Sequence, residues 1–168
     1  DQMFRMTRDG LVCTDCPNLG DQHYEGDDDF DNFILEGDFE TEIRKGDRFK
    51  VEIGGPKGII QTIRTGDKIT FTTNGKPSGG ATRVFIQAPT FTSLHCENGG
   101  NVVIRGFDEG EASISMRGAS QARAYLDASN LHLALSGKCT LELTGHGNEL
   151  EANLNNGATL EAGNWRAN

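Results

Sequence analysis

Toward the C-terminus apolar residues alternate with mostly polar ones in short runs, and the pattern is written four times. Leu94 and Cys96 are followed by Val102 and Ile104, Ile114 and Met116 by Ala122 and Ala124, Leu133 and Leu135 by Leu141 and Leu143, and Ala152 and Leu154 by Leu160 and Ala162. The copies are offset by 20, 19 and 19 residues (94→114→133→152). Side chains on a strand alternate between its two faces, so each run predicts a short, half-buried strand. The intervening residues, among them Ser113, Ser115, His132, Ser136, Glu151 and Asn153, are mostly polar and predict a wet opposite face. One turn residue separates the two runs of each copy and falls in a single column: Asn98, Gly118, Gly137, Asn156. Asn and Gly tolerate the left-handed backbone that a tight corner demands.

A unit of about 20 residues cannot bury its apolar side alone, so successive units must stack around one shared core. The prediction is an all-β chain, a β-solenoid with coils of 19 to 20 residues. Leu94, Ile114, Leu133 and Ala152 then form one internal ladder, and Cys96, Met116, Leu135 and Leu154 another. A meander of hairpins would also alternate, but it does not require a column identity at fixed offset.

The N-terminal half is strand-rich and irregular. Phe33, Leu35, Phe39, Thr41 and Ile43 alternate, Lys45 to Arg48 makes a turn, and Phe49, Val51 and Ile53 resume the pattern. Residues 59–64 read as a short apolar connection of no assigned type. Thr65-Gly66-Asp67-Lys68 is a further turn into Ile69, Phe71 and Thr73, and Val84, Ile86 and Ala88 form a strand that stops at Pro89. The division expected is an extension or linker over 1–29 and a single domain over 30–168. Within it, 30–91 supplies irregular strands that cap one end of the stack and 92–168 the regular coils. Trp165, the only Trp, is placed to fold over the other end.

Composition sharpens this picture. Of the 168 residues 22 are glycine, and hydrophobic content is only 35%, as expected where half of each strand faces water. The net charge is −9, so the basic patch that phosphate recognition needs is missing and nucleic acid is not an expected partner. The sequence starts at Asp1 and holds no apolar run of membrane length. The expectation is a processed or excised piece, with any membrane attachment supplied by segments outside it.

The succession Phe33-Ile34, Gly37-Asp38-Phe39, Ile43 and Gly46, then Val84, Ile86, Pro89 and Leu94, then Glu97-Asn98-Gly99-Gly100-Asn101-Val102, resembles the bacterial head GIN domain of auto-transporter adhesins. The resemblance runs over roughly residues 30–165. It implies a right-handed β-helix outside the cytoplasm, at the cell surface or in the periplasm, in some relatives behind membrane-spanning segments. It carries no catalytic residues across.

Candidate chemistry is sparse. Cys13 and Cys16 have the spacing of a dithiol or half a zinc site, but no second pair completes four ligands, and a local disulfide or a pair of idle thiols is expected. Cys96 and Cys139, two coils apart, are too distant to bridge. Asp27, Asp28, Asp29 and Asp31 depart from a calcium-loop pattern and read as an acidic linker. Arg123 above Glu142 reads as a cross-coil charge pair. His95, His132 and His146 share no column. Neither a cofactor nor a metal site is therefore expected, nor is catalysis.

The functional expectation is a rigid ladder that presents polar side chains to an extended ligand: a glycan, an envelope polymer or another protein. The candidate ligand-facing residues are Ser113, His132 and Glu151, with Arg105 and Tyr125 beside them. The alternatives are a polysaccharide-acting enzyme, which needs acids converging in a groove, and the sensory ectodomain of a membrane-anchored envelope protein.

Overall fold

The computed structural model describes residues 30–55, 60–73 and 82–168, together with the backbone of three strands that precede them. The described chain is all-β, without a helix. In order, the strands are β1 (Phe4–Thr7), β2 (Gly10–Cys13), β3 (Gln22–Gly26), β4 (Asn32–Glu36) and β5 (Glu40–Lys45). There follow β6 (Phe49–Gly54), β7 (Ile60–Thr65), β8 (Lys68–Thr73), β9 (Arg83–Ala88) and β10 (Ser93–Glu97). The last five are β11 (Asn101–Arg117), β12 (Gln121–Ser136), β13 (Thr140–Gly147), β14 (Glu149–Asn155) and β15 (Thr159–Ala167).

β1 and β2 pair with each other, and the remaining thirteen strands belong to one hydrogen-bonded sheet that curls until it is nearly closed. The curl arises because β11 and β12 each turn a corner and serve two stacks. The first stack runs β7, β8, β4, β10, the second half of β11, the second half of β12, then β14. The second runs β3, β6, β9, β5, the first halves of β11 and β12, then β13 and β15. From β8 and β9 onward, every pairing in both stacks is parallel.

The columns expected from the sequence are neighbours in space. Leu94 pairs with Ile114, Ile114 with Leu133 and Leu133 with Ala152; beside them Met116 pairs with Leu135, and both are buried. Parallel pairing at these offsets excludes hairpins over this region. The corner residues take the left-handed backbone anticipated for them: φ is 65° at Asn98, 73° at Gly118, 87° at Gly137 and 59° at Asn156.

The N-terminal half departs from the sequence reading in three places. The run from Phe33 to Ile43 is two strands, β4 and β5, broken at Gly37 (φ 135°), where an added Cβ would collide with Thr73. The turn at Lys45 to Arg48 closes no hairpin, because β9 lies between β5 and β6. The unassigned connection is β7, an antiparallel edge of the first stack. The chain thus lays down β4 and β5, detours through β6 and β7, places β8 and β9 on one side of that first pass, and adds β10 on the other.

Large aromatic side chains fill the end near this detour. Phe33 stacks on Phe91 at 6.0 Å, Phe91 meets Phe107 at 5.3 Å, and Phe30 meets Phe49 edge-on at 4.9 Å. The columns then narrow to Leu and Ala, and at the last pass the core opens: Leu154 is 41% exposed. Trp165 is partly buried against the core with its ring beside Gly147, while Leu154, at the end it was expected to cover, stays exposed.

Candidate functional site

On the outer face of the second stack, three columns of side chains point to solvent. The central column runs Glu52, Phe85, Glu42, Val103, and continues as Arg123, Glu142 and Glu161. To one side lie Arg83, Glu40 and Asn101; to the other, Lys50, Arg44, Arg105 and Tyr125. Charged side chains therefore stand beside a central column that is apolar at Phe85 and Val103. The result is a cavity of about 840 Å³ between Glu40, Glu42, Glu52, Arg83, Phe85 and Val103. A second hollow of about 380 Å³ shares Asn101 and Val103 with it and reaches Arg123 and Glu142, so the two form one trough along the stack.

The acids of the trough are held by basic neighbours. Arg83 lies 3.1 Å from Glu40, Arg44 3.3 Å and Arg105 3.5 Å from Glu42, Lys50 3.2 Å from Glu52, and Arg123 2.9 Å from Glu142. The Arg123 to Glu142 contact is the charge pair expected from the sequence. Each such pair at a wet surface contributes about 1 kcal/mol or less, so a ligand can rearrange these arms at small cost. The guanidinium of Arg44 sits 5.8 Å from the Phe85 ring centre and that of Arg105 5.0 Å from Tyr125, so both rings carry a cation over one face.

Of the five residues singled out from the sequence, Arg105 and Tyr125 come together in the column beside this trough and line neither of its hollows. Ser113, His132 and Glu151 lie elsewhere, in one column on the outer face of the first stack, with His132 Nδ1 3.3 Å from Glu151. Side chains on that face bond to one another. Ser93 donates to Asn32 at 2.6 Å, and His95 lies 3.2 Å from Ser115 and 3.1 Å from Glu97. The sequence reading missed Glu40, Glu42, Glu52, Arg83 and Phe85. Their alternation was visible, but not that these strands continue the column of Val103 and Arg123.

Cys96 and Cys139 are buried and unbridged, as expected. Burial pushes the Cys96 thiol up, against the opposing effect of a hydrogen bond with Ser120, and nearby Cys139 adds to the rise. Asp31 is tied down, accepting from Asn32 at 2.9 Å and Thr92 at 3.0 Å. The other three acids of that run lie outside the described residues, as does the pairing of Cys13 with Cys16. Among the described residues no group of three or more His, Cys, Asp or Glu side chains is arranged to hold a metal. No helix among them is long and apolar enough to cross a membrane.

Comparison with known proteins gives one family and several structures of like fold. The family model described as "Putative auto-transporter adhesin, head GIN domain" matches residues 29–168. A crystal structure of a "putative adhesin" from Bacteroides fragilis superposes with a TM-score of 0.78 at 17% identity, over 88% of this chain and 73% of that one. A second "putative adhesin", from Parabacteroides distasonis, gives 0.63 at 10% identity, over 89% and 75%. A "putative lipid binding protein" from the same organism gives 0.62 at 14% identity, over 89% and 76%. At these identities the likeness is one of fold. No curated protein sequence matches.

Proposed function

The chain belongs to the head GIN domain family, and from that premise we propose that it is a non-catalytic binding module displayed outside the cytoplasm. Its ligand-bearing surface is the trough on the second stack. Residues 30–168 act as one right-handed β-solenoid, and residues 1–29 are an extension whose strand β3 adds to its edge. The hand is that of nearly all crossovers between parallel strands in one sheet.

One observation carries the ligand assignment: two apolar patches, Phe85 and Val103, flank Glu42 in the central column and lie among Glu, Arg and Asn side chains repeated at about 4.8 Å. An extended glycan presents apolar ring faces beside rows of hydroxyls, and those hydroxyls can both donate to carboxylates and accept from guanidinium groups. A lipid chain needs a longer apolar surface, and the charged walls argue against one. Display of such a trough on a stiff scaffold limits the ordering cost of binding a polymer.

The test is a glycan array on the purified chain, followed by calorimetry on the best binder. Phe85→Ala and Arg123→Ala are each expected to weaken binding about tenfold, equivalent to ~1.4 kcal/mol, while Ser113→Ala on the other stack leaves it unchanged. Binding that ignores Phe85 and Arg123 would remove the trough from the proposal. Release of reducing ends from the bound glycan would make the chain an enzyme instead.

A further inference from the structure

We propose that the open end of the stack, at the outer edge of β14, seats a second copy of this chain about a two-fold axis. Among the described residues β14 pairs only with β12, and β15 only with β13, so one edge of each strand is left free. Beside that edge the core is uncovered: Leu154 is 41% exposed, and Leu150, Leu160 and Ala162 are only partly buried. An edge strand with an apolar inner row is a template for another strand.

The sequence of β14 selects its own copy as that strand. It reads Glu149-Leu150-Glu151-Ala152-Asn153-Leu154-Asn155, apolar at 150, 152 and 154, with both acids in the first half and both amides in the second. Antiparallel pairing centred on Ala152 sets Leu150 against Leu154, Glu149 against Asn155 and Glu151 against Asn153. Every apolar side chain meets an apolar one, and no carboxylate faces another. Centred instead on Glu151, the pairing would bring two carboxylates together, which is unfavourable.

A two-fold normal to the first stack keeps both inner rows on one side, so the sheet and the core run on into the partner, and the contact closes at two copies. Head-to-tail growth fits less well. At the opposite end β7 offers Thr62 and Arg64 in the inward columns, and β2 lies against it.

Sedimentation velocity on the intact chain over a concentration series tests this. The expected result is a monomer and dimer in equilibrium. Asn153→Lys should tighten the dimer roughly tenfold, since it meets Glu151 of the copy twice, and Asn153→Glu should loosen it by a similar factor. Leu154→Glu should abolish it, with a far-UV spectrum showing that the variant still folds. A monomer at every concentration, growth beyond two copies, or a dimer indifferent to both positions would each overturn the proposal. None of these outcomes touches the trough, which lies on the other stack and is read out by glycan binding.

Discussion

Gly137 turns the corner between β12 and β13 at φ 87°, and a Cβ there would stand 2.9 Å from the backbone nitrogen of Gly118 on the adjacent pass. Two penalties coincide, left-handed strain and a backbone clash. Gly137→Ala should therefore cost about 1–3 kcal/mol in urea unfolding. Gly157, at the same kind of corner on the last pass, meets nothing within 4 Å, so Gly157→Ala should cost less. Cys96 offers a test of different sign with pH. Its folded pKa is raised, so its contribution to stability is complete below the ordinary thiol range near ~8.5 and is lost as pH rises through the folded value. The stability of Cys96→Ala should fall less between pH 8 and 10 than that of the parent, measured by urea midpoints at each pH.

At the scale of the element, what matters is where a strand lies in the stack. Met116 and Leu135 are 0% and 1% exposed, in the middle passes, whereas Leu154 stands in the same column at the open end. Leu135→Ala should cost about 2–5 kcal/mol and Leu154→Ala much less, because a half-wet site loses less transfer energy and leaves no closed cavity. The inner rows of β10 to β15 were legible in the sequence for a simple reason. Each pass there is a local segment of nearly constant length, so the period of the stack is also a period of the chain. The same logic hid the N-terminal passes. Ser93 pairs with Asn32, 61 residues earlier (93 − 32), because the chain makes its detour before returning. Alternation in 32–45 and 83–88 showed strands, but not that they extend the same columns.

Across the whole molecule, burial is graded from one end to the other. The phenylalanine-rich passes near β6 and β7 are closed by antiparallel strands, and the last pass is open. In a stack where each pass contacts chiefly its neighbours, unfolding begins where one neighbour is missing. Amide exchange should release β14 and β15 first and β4, β5 and the first half of β11 last. Uniform exchange would mean that the stack unfolds as one unit. This gradient keeps the trough near Phe85 on the firm side of the molecule and leaves the free edge on the labile side.

The sequence by itself determined the all-β class, the inward and outward columns of residues 94–162, the left-handed corners and the family. These follow from side-chain alternation and turn chemistry, which act between near neighbours in the chain. Only the tertiary structure decided that β8 lies across β4 from β10 and β9 across β5 from β11, that Arg105 and Tyr125 part from Ser113, His132 and Glu151, and that Glu42 and Phe85 join the column of Val103 and Arg123. Those outcomes rest on which strand edges find each other in space. A two-residue period, identical along every strand, says which face a side chain takes and leaves its cross-strand neighbour open.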